Sequence, residues 1–197
     1  MNKKSVSATI LVLFLALFFS VIGVCFSTFV YAESRTLIEK VGVKSDEAIS
    51  VFYDKEFSKH AKELKLSNMD TGLKPATGDV DSETKIPSTI NDEGTSEGYY
   101  ATVYVKTESD FKVIVKNIVI DSDHDELLVK EERKNIFVSI KDVKNSTKSL
   151  EKDEVELASF LNSEKPERLT FFIWLGSLAS DELEGAKIVF DIEFIVI

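Results

Sequence analysis

The sequence predicts an all-β fold, an antiparallel β-sandwich of jelly-roll or immunoglobulin-like type, preceded by an N-terminal hydrophobic leader helix. Three observations lead there. From residue 99 onward apolar residues recur in short runs with a period of two. The polar breaks between the runs are too short to hold the crossover helices that a parallel sheet needs. Hydrophobic residues make up 44% and charged residues 29%, the balance of a chain that folds around a core rather than of a disordered one. The length of 197 residues then suits one domain, residues 33–197, behind a leader of residues 1–32.

Taken in order, Lys3 and Lys4 precede 25 uncharged residues, Ala8 to Ala32. At about 1.5 Å per residue that run exceeds the roughly 30 Å hydrocarbon core of a bilayer. The preceding lysines favour a cytoplasmic N-terminus. Val30-Tyr31-Ala32 resembles the A-x-A pattern of a signal-peptidase site, which places the cut between Ala32 and Glu33. Retention as a signal anchor is the alternative, with residues 8–32 in the membrane, since cleaved leaders have apolar cores of about 7–15 residues. On either reading the rest of the chain lies outside the cytoplasm. Cys25 follows Val24 and lacks the small neighbour that lipid attachment requires, and the exported part then contains no cysteine.

Residues 33–66 are mixed. Ala48 to Tyr53 suits a strand, and Phe57, Ala61 and Leu64 are spaced for a short helix in Lys55 to Leu66 that feeds a strand. Residues 67–98 hold four of the eight Gly, two of the three Pro and nine Ser or Thr, which reads as one long loop. In the next strand Tyr99, Ala101, Val103 and Val105 share a face opposite Tyr100, Thr102, Tyr104 and Lys106. Further strands are expected at Phe111 to Ile120, Ile136 to Ile140, Val155 to Leu161, Leu169 to Leu175 and Ala186 to Ile197. The last alternates most regularly and is so apolar that it must be buried in a sheet.

Chemistry is harder to find. The formal charge of -10 opposes binding to a phosphate backbone and argues against a nucleic-acid partner. Asp121, Asp123 and Asp125, with Glu132 at the twelfth position, match the spacing of a calcium loop. Glu126 stands where that loop needs Gly, and a strand precedes it where a helix is needed, so a solvated acidic turn is the plainer reading. His60 and His124 are the only histidines and lie in unrelated segments, too few for a zinc site. Ser149 and Lys152 have the S-x-x-K spacing without its companion motifs. Trp174 sits in an apolar strand, in a core or sheet-surface role or as a ligand-stacking ring, and Asn145-Ser-Thr147 is a glycosylation sequon. No catalytic residue, cofactor or metal ligand is assigned.

Trp174-Leu175, Asp181-Glu182 and Gly185-Ala186-Lys187, followed by the last alternating strand, resemble the closing region of exported Gram-positive proteins of the TasA/camelysin type. The long leader and the acidic, cysteine-free exterior fit as well, whereas residues 33–98 depart from that pattern at Glu33-Ser-Arg-Thr. The resemblance implies a jelly-roll-like sandwich acting outside the cell, in some members as a fibre subunit assembled by strand exchange. The expected function is therefore a non-enzymatic cell-surface or secreted protein with a structural or adhesive role. Its partners would be itself or other surface proteins, with Ala48 to Tyr53 as the donor strand. The alternative is a calcium-dependent binding module using residues 121–132; an extracellular hydrolase ranks third.

Overall fold

The computed structural model describes residues 14, 16–20, 35–67, 72–73, 98–123, 125–161 and 166–197. The chain divides into Met1–Ser34 and Arg35–Ile197. In the first unit, residues 14 and 16–20 are helical and exposed. The remainder of the expected leader, the Ala32–Glu33 junction and most of the 67–98 loop lie outside the described residues. No described helix is long and apolar enough to cross a membrane.

The second unit is a β-sandwich; across all the described residues strands account for 49% and helix for 14%, so the all-β class holds. Nine strands are described: β1 (Leu37–Ser45), β2 (Ser50–Phe52), β3 (Gly98–Lys106), β4 (Phe111–Asp121), β5 (Ile136–Ile140), β6 (Lys148–Ser149), β7 (Val155–Phe160), β8 (Arg168–Leu175) and β9 (Lys187–Val196). One sheet has the order β1-β9-β4-β7 and the other β2-β3-β8-β5-β6. A helix, α1 (Glu126–Glu132), leads into a 3₁₀ turn at Arg133–Asn135 between β4 and β5.

The inward faces follow the period of two. Tyr99, Ala101, Val103 and Val105 of β3 are buried, as are Ile188, Phe190, Ile192 and Phe194 of β9. Leu169, Phe171, Ile173 and Leu175 of β8 join the same core, while Trp174, Phe172 and Phe137 form a second cluster on the opposite face of that sheet. Burial on both faces explains why β8 ends in the unbroken apolar run Phe171–Leu175. Phe111 lies between Phe160 and Phe194, with ring centroids 5.0 and 6.2 Å away, so aromatic contacts tie β7, β4 and β9 together.

Four expectations change. The sandwich is not wholly antiparallel: β1 runs parallel to β9, from Leu37 opposite Lys187 to Ser45 opposite Phe194. The short-break argument covers only strands adjacent in sequence, and these two are the first and last described. Secondly, β1 itself was not foreseen. Its register shifts between Ile38 and Lys40, so Ile38 and Val41 both point inward and the alternation is broken.

Thirdly, no helix forms in Lys55 to Leu66. The Asp54 carboxylate accepts the backbone N–H groups of Ser58 and Lys59 at 2.9 and 3.0 Å, and Phe57 takes a φ of 55°. Those hydrogen bonds, the one from Ser58 first, hold the Asp54 carboxyl below its ordinary range. The chain then crosses the edge of the sandwich, where Ala61 donates to the Val51 carbonyl, Leu64 to that of Val41, and Lys62 accepts from Val43. Lastly, the acidic segment is not a simple turn, because Asp125 caps α1.

Since Phe190 is fully buried at the centre of β9, Phe190→Ala should cost about 3–5 kcal/mol. A denaturant-midpoint shift worth less than about 1 kcal/mol would contradict this placement.

Candidate functional site

The acidic segment disperses its carboxylates. Asp121 closes β4 opposite Lys187 of β9. Asp125 Oδ1 accepts the Leu127 N–H at 2.9 Å and is spent as the cap of α1. Glu132 Oε2, at the far end of the helix, accepts from Asn135 Nδ2 at 2.8 Å and from the Ser180 N–H at 3.0 Å. The four residues of the calcium spacing are thus not brought to one point. Among the described residues no three His, Cys, Asp or Glu side chains converge as metal ligands; His124 lies outside them.

Beside α1 a groove of about 550 Å³ is walled by Ile118, Val119, Ile120 and Val129 and bordered by Lys130 and Arg133. Arg133 is buried, and its guanidinium is bonded on three sides: Nε to the Leu150 carbonyl at 2.9 Å, Nη2 to that of Lys152 at 2.7 Å, and Nη1 to Asp153 Oδ1 at 2.8 Å. That hydrogen bond, with the charge behind it, holds the Asp153 carboxyl below its ordinary range. A guanidinium satisfied in this way is a structural tie between α1 and the turn before β7.

The other candidates have structural duties as well. His60 stacks on Phe52, ring centroids 4.5 Å apart, and bridges its backbone. Ser149 belongs to β6, opposite Phe137, while Lys152 gives its carbonyl to Arg133. Trp174 is fully enclosed and stacked on Phe137 at 5.6 Å, so its ring has no face open to a ligand. In the sequon, Ser146 and Thr147 are buried; the Ser146 hydroxyl contacts the Ile140 and Val143 carbonyls, and that of Thr147 donates to Ser139 Oγ.

The polar constellation that does converge was not foreseen. On the outer face of the four-stranded sheet, Asp191 Oδ2 accepts from Lys44 Nζ of β1 at 2.5 Å and from Asn117 Nδ2 of β4 at 2.7 Å. Asn117 reaches it from a register shift in β4 with a φ of 54°, a conformation that asparagine tolerates. Gly42 leaves the space, since a Cβ there would overlap Asp191 Oδ1. Lys44 also lies 3.9 Å from Glu193, and Lys116 lies 3.7 Å from Glu193 and 3.2 Å from Glu154. The result is a charge ladder from β1 across β9 and β4 to the start of β7.

Burial pushes the Asp191 carboxyl up, but the hydrogen bonds from Lys44 and Asn117 and the charges of Lys44 and Lys40 outweigh it and hold it below its ordinary range. The alternation of β9 places Asp191 and Glu193 on the outward face. Nothing in the sequence linked Asp191 to Lys44, 147 positions away. Comparison with protein-family models, curated proteins and solved structures returned no match.

An Asp held below its unfolded value of about 3.9 contributes stability that is present above that value and lost as pH falls through its folded value. Asp191→Asn should therefore cost about 1–2 kcal/mol at neutral pH. It should also flatten the acid limb of stability, as read from denaturant midpoints between about pH 7 and about pH 3. An acid limb as steep as the parent's would assign that limb to other groups.

Proposed function

We propose that this chain is an exported, non-enzymatic β-sandwich of jelly-roll-like type with a structural or adhesive role at or beyond the cell surface, and that it self-associates by exchanging its first strand. The observation that carries this reading is the parallel β1–β9 pair. The strand nearest the leader lies at a sheet edge and covers β9, whose partner on its other side is β4. An edge strand that can leave its sheet and be replaced by that of a neighbour is the element that strand exchange requires.

Within this reading the donor is β1 rather than Ala48 to Tyr53. The latter keeps only three strand residues, Ser50–Phe52, whereas β1 has nine and places Ile38, Val41 and Val43 in the core. The charged leader flank and the 25-residue apolar run support export. The likeness of the Leu169 to Ile197 region to TasA/camelysin-type proteins supports the extracellular assignment.

Material isolated from its own host should include a species beginning at Glu33, by intact mass, that elutes well above monomer size. Removing residues 33–45 should abolish the oligomer. A full-length membrane-bound monomer, or an oligomer that survives the deletion, would overturn strand exchange through β1. Chelation of divalent cations should leave the melting temperature unchanged; a fall would favour the calcium-dependent module instead.

A further inference from the structure

The outward face of the five-stranded sheet carries a second feature, whose Tyr53 and Tyr100 also pack against the hydrophobic clusters. Tyr100, Thr102 and Tyr104 alternate outward along β3, each half-buried. The two tyrosines are four residues apart, so their attachment points are separated by about 13 Å. Tyr53, just beyond β2, stands beside them, and together they border a groove of about 360 Å³. Across the sheet, Thr170 pairs its hydroxyl with that of Thr102 at 2.9 Å, and Arg168 is in register with Tyr104.

The charge of this groove is the reverse of the molecule's. The chain has 34 acidic residues against 24 basic ones, yet among the described residues no carboxylate lines the groove, and the charged residues that do are Lys65 and Arg168. Lys65 Nζ sits 4.2 Å from the centre of the Tyr53 ring. Lys44, Lys116 and Arg133 pair with carboxylates, whereas neither Lys65 nor Arg168 forms an ion pair among the described residues. Lys65 and Arg168 therefore stand without a carboxylate partner among the described residues, and Arg168 is exposed.

Flat aromatic faces, a row of hydroxyls and unmatched cations are the complement of a polyhydroxylated ring bearing negative charge. An extended acidic peptide fits less well, because strand addition needs a run of open edge. Here the edge of β3 is taken at Tyr100, whose N–H and carbonyl both bond Ser67 at 3.0 Å, and again from Tyr104 onward by β2.

We propose that this groove binds an acidic saccharide chain, its ring faces lying on Tyr100 and Tyr104 and its carboxylates meeting Arg168 and Lys65. The ligand class gives content to the adhesive role above and rests on that reading only for the place where such a chain would be met. Loss of sugar binding with assembly intact, or the converse, separates the two.

The test is calorimetric titration of the full chain with short oligogalacturonates, alongside neutral malto-oligosaccharides and polyglutamate of matched charge. Binding should weaken with added salt, as an ionic contact does. Arg168→Gln and Tyr104→Ala should each weaken it about tenfold, the loss of one charge-assisted or stacking contact, and Arg168→Gln, on an exposed side chain, should leave the melting temperature unchanged. Neutral oligosaccharide should bind at least about tenfold more weakly than the uronate. No uronate binding, binding indifferent to Arg168→Gln, or equal binding of polyglutamate would overturn the proposal.

Discussion

The architecture turns on β9 having a partner along both edges. Its inward residues Ile188, Phe190, Ile192 and Phe194 are all fully buried, and β4 supplies one edge along most of its length. Without β1 the other edge would present open backbone groups beside a strand that ends in Phe194-Ile195-Val196, a template for unplanned pairing. β1 closes that edge in parallel register, and the Leu37 N–H to Ala186 and the Asp46 N–H to Phe194 extend the seam beyond the strand ends. Residues 61–64 then close the outer side of β1 through Val41 and Val43.

The outward face of the same sheet makes the closure specific. Parallel pairing could be satisfied by apolar residues alone, yet one carboxylate, Asp191, gathers a lysine from β1 and an asparagine from β4. Gly42 and Asn117 are the backbone accommodations that let it do so, one by omitting a side chain and the other by turning into the left-handed region. Salt bridges this close to solvent stabilise only modestly. Their larger effect is on register, since a slip of one residue would carry Lys44 to the wrong face. The same seam that completes the monomer is the one proposed to exchange between copies.

Legibility in the sequence followed contact order. The strands β3, β4, β5, β7, β8 and β9 could be read because an alternating or apolar pattern needs only neighbouring residues to declare itself, and β5 falls at the residues expected, Ile136–Ile140, whereas the two-residue β6, Lys148–Ser149, is too short to show one. The first strand was hidden by the bulge after Ile38. The turn at Asp54 defeated a helical spacing because a side-chain carboxylate competed for backbone N–H groups, a preference that apolar periodicity does not encode. Around Asp191 the difficulty was distance along the chain: Lys44, Asn117 and Asp191 meet only once β1, β9 and β4 have paired in the four-stranded sheet. The calcium spacing showed the opposite failure, a local pattern whose members the helix α1 and the Ser180 turn pull apart.

The measurement that bears most directly on this account is a short bis-maleimide cross-link between Lys40→Cys and Val189→Cys, register partners on β1 and β9, with Cys25 replaced by serine. The account predicts that the link closes within a single chain in dilute solution, and that the locked chain stays monomeric under conditions where the unlinked one assembles. Failure to link within the chain would contradict the parallel seam. Assembly of the locked chain as readily as the unlinked one would contradict its exchange.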